Sequence, residues 1–233
     1  MYYWAIPATF ASLSGLYLLL LHIGGPYADK ACARVSLVHH FVAMLLGLYV
    51  HAKYAHRLEE DAAFGSNHLY PEAVLLQHFN IGYFLYDSIH VWVWDQKFVV
   101  HHMVALCGYG TSELANVFAL ANAVNTWITE AGSVMYSSFL LVKTDAAYAA
   151  FVIAYAVSRS YFAYWSFLVL QQVRQALTAP LPQWSYPVWA PYDAAALQLM
   201  LFAINALFLW THTRKLLQKL TSKKGAKEEG KKE

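Results

Sequence analysis

Two adjacent histidines, His101 and His102, lie barely a turn into the apolar run "FVVHHMVALCGYG". Asp87 and His90 stand just upstream in "YDSIH", His39 and His40 close the stretch "RVSLVHH", and Asn122, Asn125, Glu130 and Arg159 follow in other apolar runs. An imidazole held by a carboxylate can act as a base or nucleophile, or can position a polar head group. Such groups cost several kcal/mol at membrane depth, so they face a bundle interior or cavity and carry a partner or a function. At helical spacing Asp87 and His90 share a face, His102 shares one with Leu106 and Tyr109, and His101 one with Ala105 and Gly108. One histidine of the pair is therefore expected to look into a cavity while the other packs between helices. Asn122, Asn125, Thr129 and Ser133 make a polar stripe with Thr126 and Glu130 beside it. Because Glu130 and Arg159 are both deep, pairing across two helices is the economical structural reading, and a direct ligand-binding role for them is its equal.

Metal chemistry makes demands that this spacing does not meet. Membrane di-iron sites need HxxxH or HxxHH clusters in repetition, a helical H-E-x-x-H zinc site is absent, and Cys107 stands alone near the histidines, so neither a metal nor a cofactor is expected. The G-x-S-x-G hydrolase signal and a phosphate-binding glycine loop are missing too.

The elements that must position these residues are membrane helices. The 233-residue chain is 59% hydrophobic and 13% charged, more apolar surface than a soluble domain of that size hides. Apolar runs bounded by charges or turn residues give seven spans: Trp4 to Ile23, Val35 to Ala52, Val74 to Trp94, Phe98 to Gly110, Leu114 to Val142, Ala146 to Leu170 and Ala194 to His212. The first, lacking a basic leader and a clear cleavage site, reads as a span rather than a signal peptide. The fifth exceeds an upright crossing and is expected to tilt, to kink near Gly132, or to emerge at the interface. Spans three and four, joined by "DQK", form an antiparallel hairpin that brings Asp87 and His101 to similar depth. The proline-rich "TAPLPQWSYPVWAPY" reads as an interfacial loop, and Lys53 to Glu72 is too short to bury a core of its own. Cys32, in an expected loop, and Cys107 indicate no disulfide framework.

An N-terminus outside the cytosol puts Lys30, Arg34, Lys97, Lys143 and the eight basic residues from Arg214 to Lys232 on the cytosolic side, twelve of the sixteen, against Lys53, Arg57 and Arg174 outside and Arg159 within a span. The polar tail reads as disordered, a solvated topology anchor, and no nucleic-acid partner is expected.

The succession "RVSLVHH", "GYFLYD" (Gly82 to Asp87), "HHMVALCGYG" (His101 to Gly110) and "TEAGSVMYSSFLL" (Thr129 to Leu141) resembles the TLC-domain family, multi-pass membrane proteins of lipid metabolism that include the ceramide synthases. The resemblance covers Arg34 to about Lys215. It implies an all-α membrane protein of about seven transmembrane helices around a lipid-accepting polar cavity, with residues 1–33 as first helix and loop, 34–215 as the TLC domain and 216–233 as the basic cytosolic tail. Tyr86 and Asp87 match the family's "YD", His101 and His102 its paired histidines, and Glu130 an acidic residue typical of non-synthase members. Where ceramide synthases carry "HDxxD", this chain reads "NTWITEAG", without either aspartate. The resemblance therefore implies a protein that binds or senses a lipid or fatty acyl chain through Tyr86, Asp87, His101, His102, Tyr109, Asn125 and Glu130, in the endoplasmic reticulum membrane, affecting lipid homeostasis or trafficking. The alternative is an N-acyltransferase that uses acyl-CoA and a long-chain amine, with His101, His102 and Asp87 as catalytic residues.

Overall fold

The computed structural model describes residues 2–24, 30–94, 99–178 and 185–229. These form eight α-helices: α1 (Ala5–Gly24), α2 (Ala31–Lys53), a single turn α3 (Leu58–Asp61), α4 (Pro71–Trp94), α5 (Val99–Ala115), α6 (Ala119–Val142), α7 (Asp145–Thr178) and α8 (Ala190–Glu229). The seven long helices fall where the seven spans are expected. Three contain stretches long and apolar enough to cross a bilayer by composition alone: Ala5–Ile23, Ala31–Lys53 and Ala190–Ser222. The other four carry the polar residues of the interior, which lowers their average.

The distribution of side chains is that of a membrane protein. Leu18, Leu45, Ile153, Val157, Phe167, Leu207 and Trp210 point outward, while His39, Gln77, His78 and Asn80 are buried. In water this arrangement would be costly twice over; in lipid the apolar exterior is solvated and the polar interior finds partners. α6 sits centrally between α2 and α7; α7 packs on α8, α1 on α4, and α5 bridges α4 and α8.

The stretch Leu114 to Val142 is not one span. Asn116 (φ 55°) and Phe118 (φ 74°) take left-handed backbone, ending α5 and restarting the chain as α6. That conformation costs roughly 1–2 kcal/mol per non-glycine residue, so it must be held from outside. The segment between α2 and α4 does this: Asn67 Oδ1 accepts from Ala119 N at 3.0 Å, Ala62 O accepts from Ala121 N at 3.0 Å and Ala63 O from Phe118 N at 3.0 Å, supplying first-turn amides of α6 with partners. α6 runs continuously through Gly132 to Val142. A Cβ there would meet Tyr155 and Ser158 at 2.9 Å, so this glycine permits a close α6–α7 crossing.

Lys53 to Glu72 thus builds no core of its own, yet it is a structured cap. Ala62, Ala63 and Tyr70 are buried, and Gln172 of α7 reaches in to donate to Leu58 O (2.8 Å) and Glu59 O (3.0 Å) and to accept from Ala63 N (2.8 Å). Burial and the neighbouring Asp61 carboxylate push the Tyr70 hydroxyl up to about 12, keeping it a donor to Asp61.

The tail departs from the disorder its composition suggests. α8 continues to Glu229, since Leu, Lys, Gln and Ala are good helix formers and the helix is already nucleated. Leu216 still packs against the aromatic cluster of α7, and Lys219 pairs with Asp145 at 3.0 Å. Cys32 lies inside α2, not in a loop. The "DQK" turn, the side chain of His90, the first part of the proline-rich loop and the last four residues lie outside the described residues.

Candidate functional site

Gly47 sets the register of α2 on α6. A Cβ at this position would lie 2.8 Å from Ala123 O and 2.8 Å from Trp127 Cβ, so only hydrogen allows the two backbones to come this close. Because the helices run antiparallel, two turns back along α2 and two turns forward along α6 bring His40 opposite Glu130, seven residues from each end of that contact. His40 Nδ1 and Glu130 Oε2 are 2.5 Å apart, though not aligned as a hydrogen bond. His39, fully buried, lies against the face of Tyr83 with ring centroids 3.5 Å apart and planes 6° from parallel.

α4 and α5 bring Asp87 and His102 together as their hairpin implies. Asp87 Oδ2 lies 2.9 Å from His102 Nε2 and accepts from the Tyr83 hydroxyl at 3.3 Å, while Cys32 Sγ stands 3.9 Å from Oδ1. An ionised carboxylate can only accept, which puts a proton on His102 Nε2. His102 is the buried member of the pair and His101 the half-buried one, and both line one cavity.

That cavity, about 870 Å³, opens between α2, α4 and α5 on one side and α6, α7 and α8 on the other. Its lining includes Cys32, Asp87, His101 and His102, then Tyr109, Asn125 and Glu130, and Leu197, Leu201 and Phe208 of α8. The size falls in the range that small ligands fill. The stripe on α6 supplies its polar wall. Tyr109 exchanges bonds with Asn80 (3.0 Å) and Thr126 (3.2 Å), and Asn125 donates to Gln198 Oε1 at 3.2 Å.

Two expectations need correction. Arg159 does not pair with Glu130: its Nη1 donates to Thr129 O and Ser158 Oγ, each at 3.0 Å, and its guanidinium lies 3.9 Å from the Tyr155 ring centre. The Gly132 crossing puts Arg159 beside the α6 backbone, so it is satisfied there, and the carboxylate turns to α2 instead. Tyr86 does not line the cavity; it packs between α1 and α4 with Leu13, Val35 and Tyr83. Its place is taken by Tyr83, one turn before Asp87, which sequence reasoning passed over although the i, i+4 spacing was visible. Sequence reasoning also missed Glu113, which accepts from Gln77 at 2.6 Å and meets His78 at 3.0 Å, a tie between α4 and α5 away from the histidine pair.

A family model described as the TLC domain matches residues 33–214, most of the chain. The chain belongs to the TLC-domain family. This TLC domain overlaps every cavity-lining helix from α2 to α8. Its membership makes the protein a membrane protein of a lipid-related family. Neither a curated protein nor a solved structure matches the chain.

Proposed function

We propose that this TLC domain holds a lipid or fatty acyl chain in its central cavity and acts in membrane lipid homeostasis or trafficking as a lipid-binding or lipid-sensing protein. The observation that carries the reading is the His102–Asp87 pair set into the wall of a cavity that combines the polar stripe of α6 with apolar side chains of α5 and α8. An acyl chain can lie along the apolar side chains of the lining, and a polar head finds the imidazoles, Tyr109, Asn125 and Glu130. The twelve-to-three basic asymmetry supports a cytosolic C-terminus and an N-terminus on the other side, which puts the histidine pair toward the cytosolic leaflet. Residence in the endoplasmic reticulum is the reading that family analogy favours.

A second reading is favoured by one specific feature: His102 is held through Nε2 by the Asp87 carboxylate within the cavity wall. That is the disposition a base needs for attack of a long-chain amine on an acyl thioester, with His101 alongside. One experiment separates the two. The full chain and its His101→Ala/His102→Ala variant are purified in detergent, their copurifying lipids measured by mass spectrometry, and each offered labelled acyl-CoA with a long-chain amine. Retained lipid without turnover in the wild type, lost in the variant, supports binding; histidine-dependent amide formation supports the enzyme. Unchanged lipid in the variant would remove the histidines from the site.

A further inference from the structure

The His39–His40–Glu130 cluster has a feature that neither lipid reading uses. Both nitrogens of His39, Nδ1 of His40 and Oε2 of Glu130 are buried, and none makes an aligned hydrogen bond among the described residues. One ligand atom from each of these residues lies within 4.8 Å of the other two. Buried polar atoms are nearly always satisfied, and four orphans on three adjoining side chains call for a specific reason. An ion pair between His40 and Glu130 answers for only two of them and leaves His39, at the most buried point of α2, with neither nitrogen used.

We propose that these three residues form a binding site for a divalent first-row transition-metal ion, Zn²⁺ or Fe²⁺. Two imidazoles and one carboxylate are a donor set that such ions take with positions left open. The cluster supplies the rest of what a site needs. His39 is clamped as a flat slab, with Tyr83 at 3.5 Å on its ring and Phe79 at 5.0 Å, so its orientation is set before any ion arrives. The α2–α6 register at Gly47 places the carboxylate independently of the histidines. With tetrahedral bonds of about 2.0–2.1 Å, two ligands of one ion stand roughly 3.4 Å apart, so the 2.5 Å approach of His40 to Glu130 has to open by roughly 0.9 Å while ligand atoms up to 4.8 Å apart draw in. The nearest guanidinium, on Arg159, is occupied by Thr129 O, Ser158 Oγ and the face of Tyr155. His40 and Glu130 also line the cavity whereas His39 does not, so the open coordination positions face the cavity, where water or an oxygen of a bound head group completes the shell. Spacing within one helix hid this set, because the third ligand comes from a helix about ninety residues further along the chain.

The site is tested independently of any lipid. The full chain, purified through a tag without histidines and stripped with chelator, is titrated with Zn²⁺ and with Co²⁺ as a visible-absorption probe, and its as-isolated Zn and Fe contents are measured by plasma mass spectrometry. The expected result is one ion per chain and a ligand-field band for Co²⁺. Affinity is expected to fall at least tenfold in Glu130→Gln and in His40→Ala, and to stay at the wild-type level in His56→Ala, an exposed imidazole elsewhere. Size-exclusion profiles and circular dichroism separate lost binding from lost folding, and the Co²⁺ band of the wild type reads the site without any variant. A wild-type chain that takes up no ion overturns the proposal, as does uptake that Glu130→Gln and His40→Ala leave unchanged; the cluster is then an ion pair only.

Discussion

Replacing Asp87 with Asn and with Leu tests whether that carboxylate organises the histidine wall. Two close donors converge on Oδ2, His102 Nε2 at 2.9 Å and Tyr83 Oη at 3.3 Å, and the weak Cys32 thiol stands 3.9 Å from Oδ1. Asn can place its carbonyl oxygen at the Oδ2 position and its amide toward the sulfur, keeping both bonds and losing the charge. A hydrogen bond to a charged group contributes about 1.5–3 kcal/mol and a neutral one about 1, so Asn should cost about 1–2 kcal/mol. Leu removes the acceptor of both His102 Nε2 and the Tyr83 hydroxyl, and in soluble proteins each buried donor that loses its acceptor costs about 1–3 kcal/mol. Membrane interiors moderate such figures, because the dissociated helices also find partners and measured pairs average nearer 0.6 kcal/mol. The order and the gap are therefore the safer quantities: Leu should be worse than Asn by at least about 1 kcal/mol. Equilibrium unfolding in mixed micelles, run as a double-mutant cycle with His102→Leu, should give a coupling of about 1 kcal/mol. Equal damage from Asn and Leu, or a coupling below about 0.3 kcal/mol, would refute the argument that this carboxylate holds the imidazole.

Gly47→Ala drives a methyl group against Ala123 O and Trp127 at 2.8 Å; overpacking of this kind costs about 1–3 kcal/mol, visible as a lower thermal midpoint in detergent, and an unchanged midpoint would mean that α2 and α6 are not in this register. Gln172→Leu removes three buried bonds to the cap, at about 1 kcal/mol each, and should raise hydrogen exchange across 54–70 while α2 and α6 stay protected. A cycle of Arg159→Leu with Glu130→Leu should be additive in stability, since Arg159 is held by the α6 backbone and Tyr155; strong coupling would restore the direct pair. Glycosylation acceptors appended at either end should be modified at the N-terminus alone, and modification of the C-terminal tag instead would invert the topology.

The sequence by itself determined the architecture and half of the site. Seven apolar runs define seven long helices because a bilayer leaves the backbone no other way to satisfy its hydrogen bonds, and the short spacing between Asp87 and His102 across one hairpin makes their meeting a matter of helical rise. What it could not decide are the partners set by helices distant in sequence. Glu130 has an equally deep arginine and a deep histidine to choose between, and the choice falls to His40 because glycines at 47 and 132 fix how α6 sits against α2 and α7, a matter of interhelical contact with no periodic trace. The break at Asn116 to Phe118 was hidden for the same reason. Left-handed backbone at a phenylalanine is unfavourable locally, and only the cap folded from residues 54–70, bonding the first amides of α6, makes it the stable conformation.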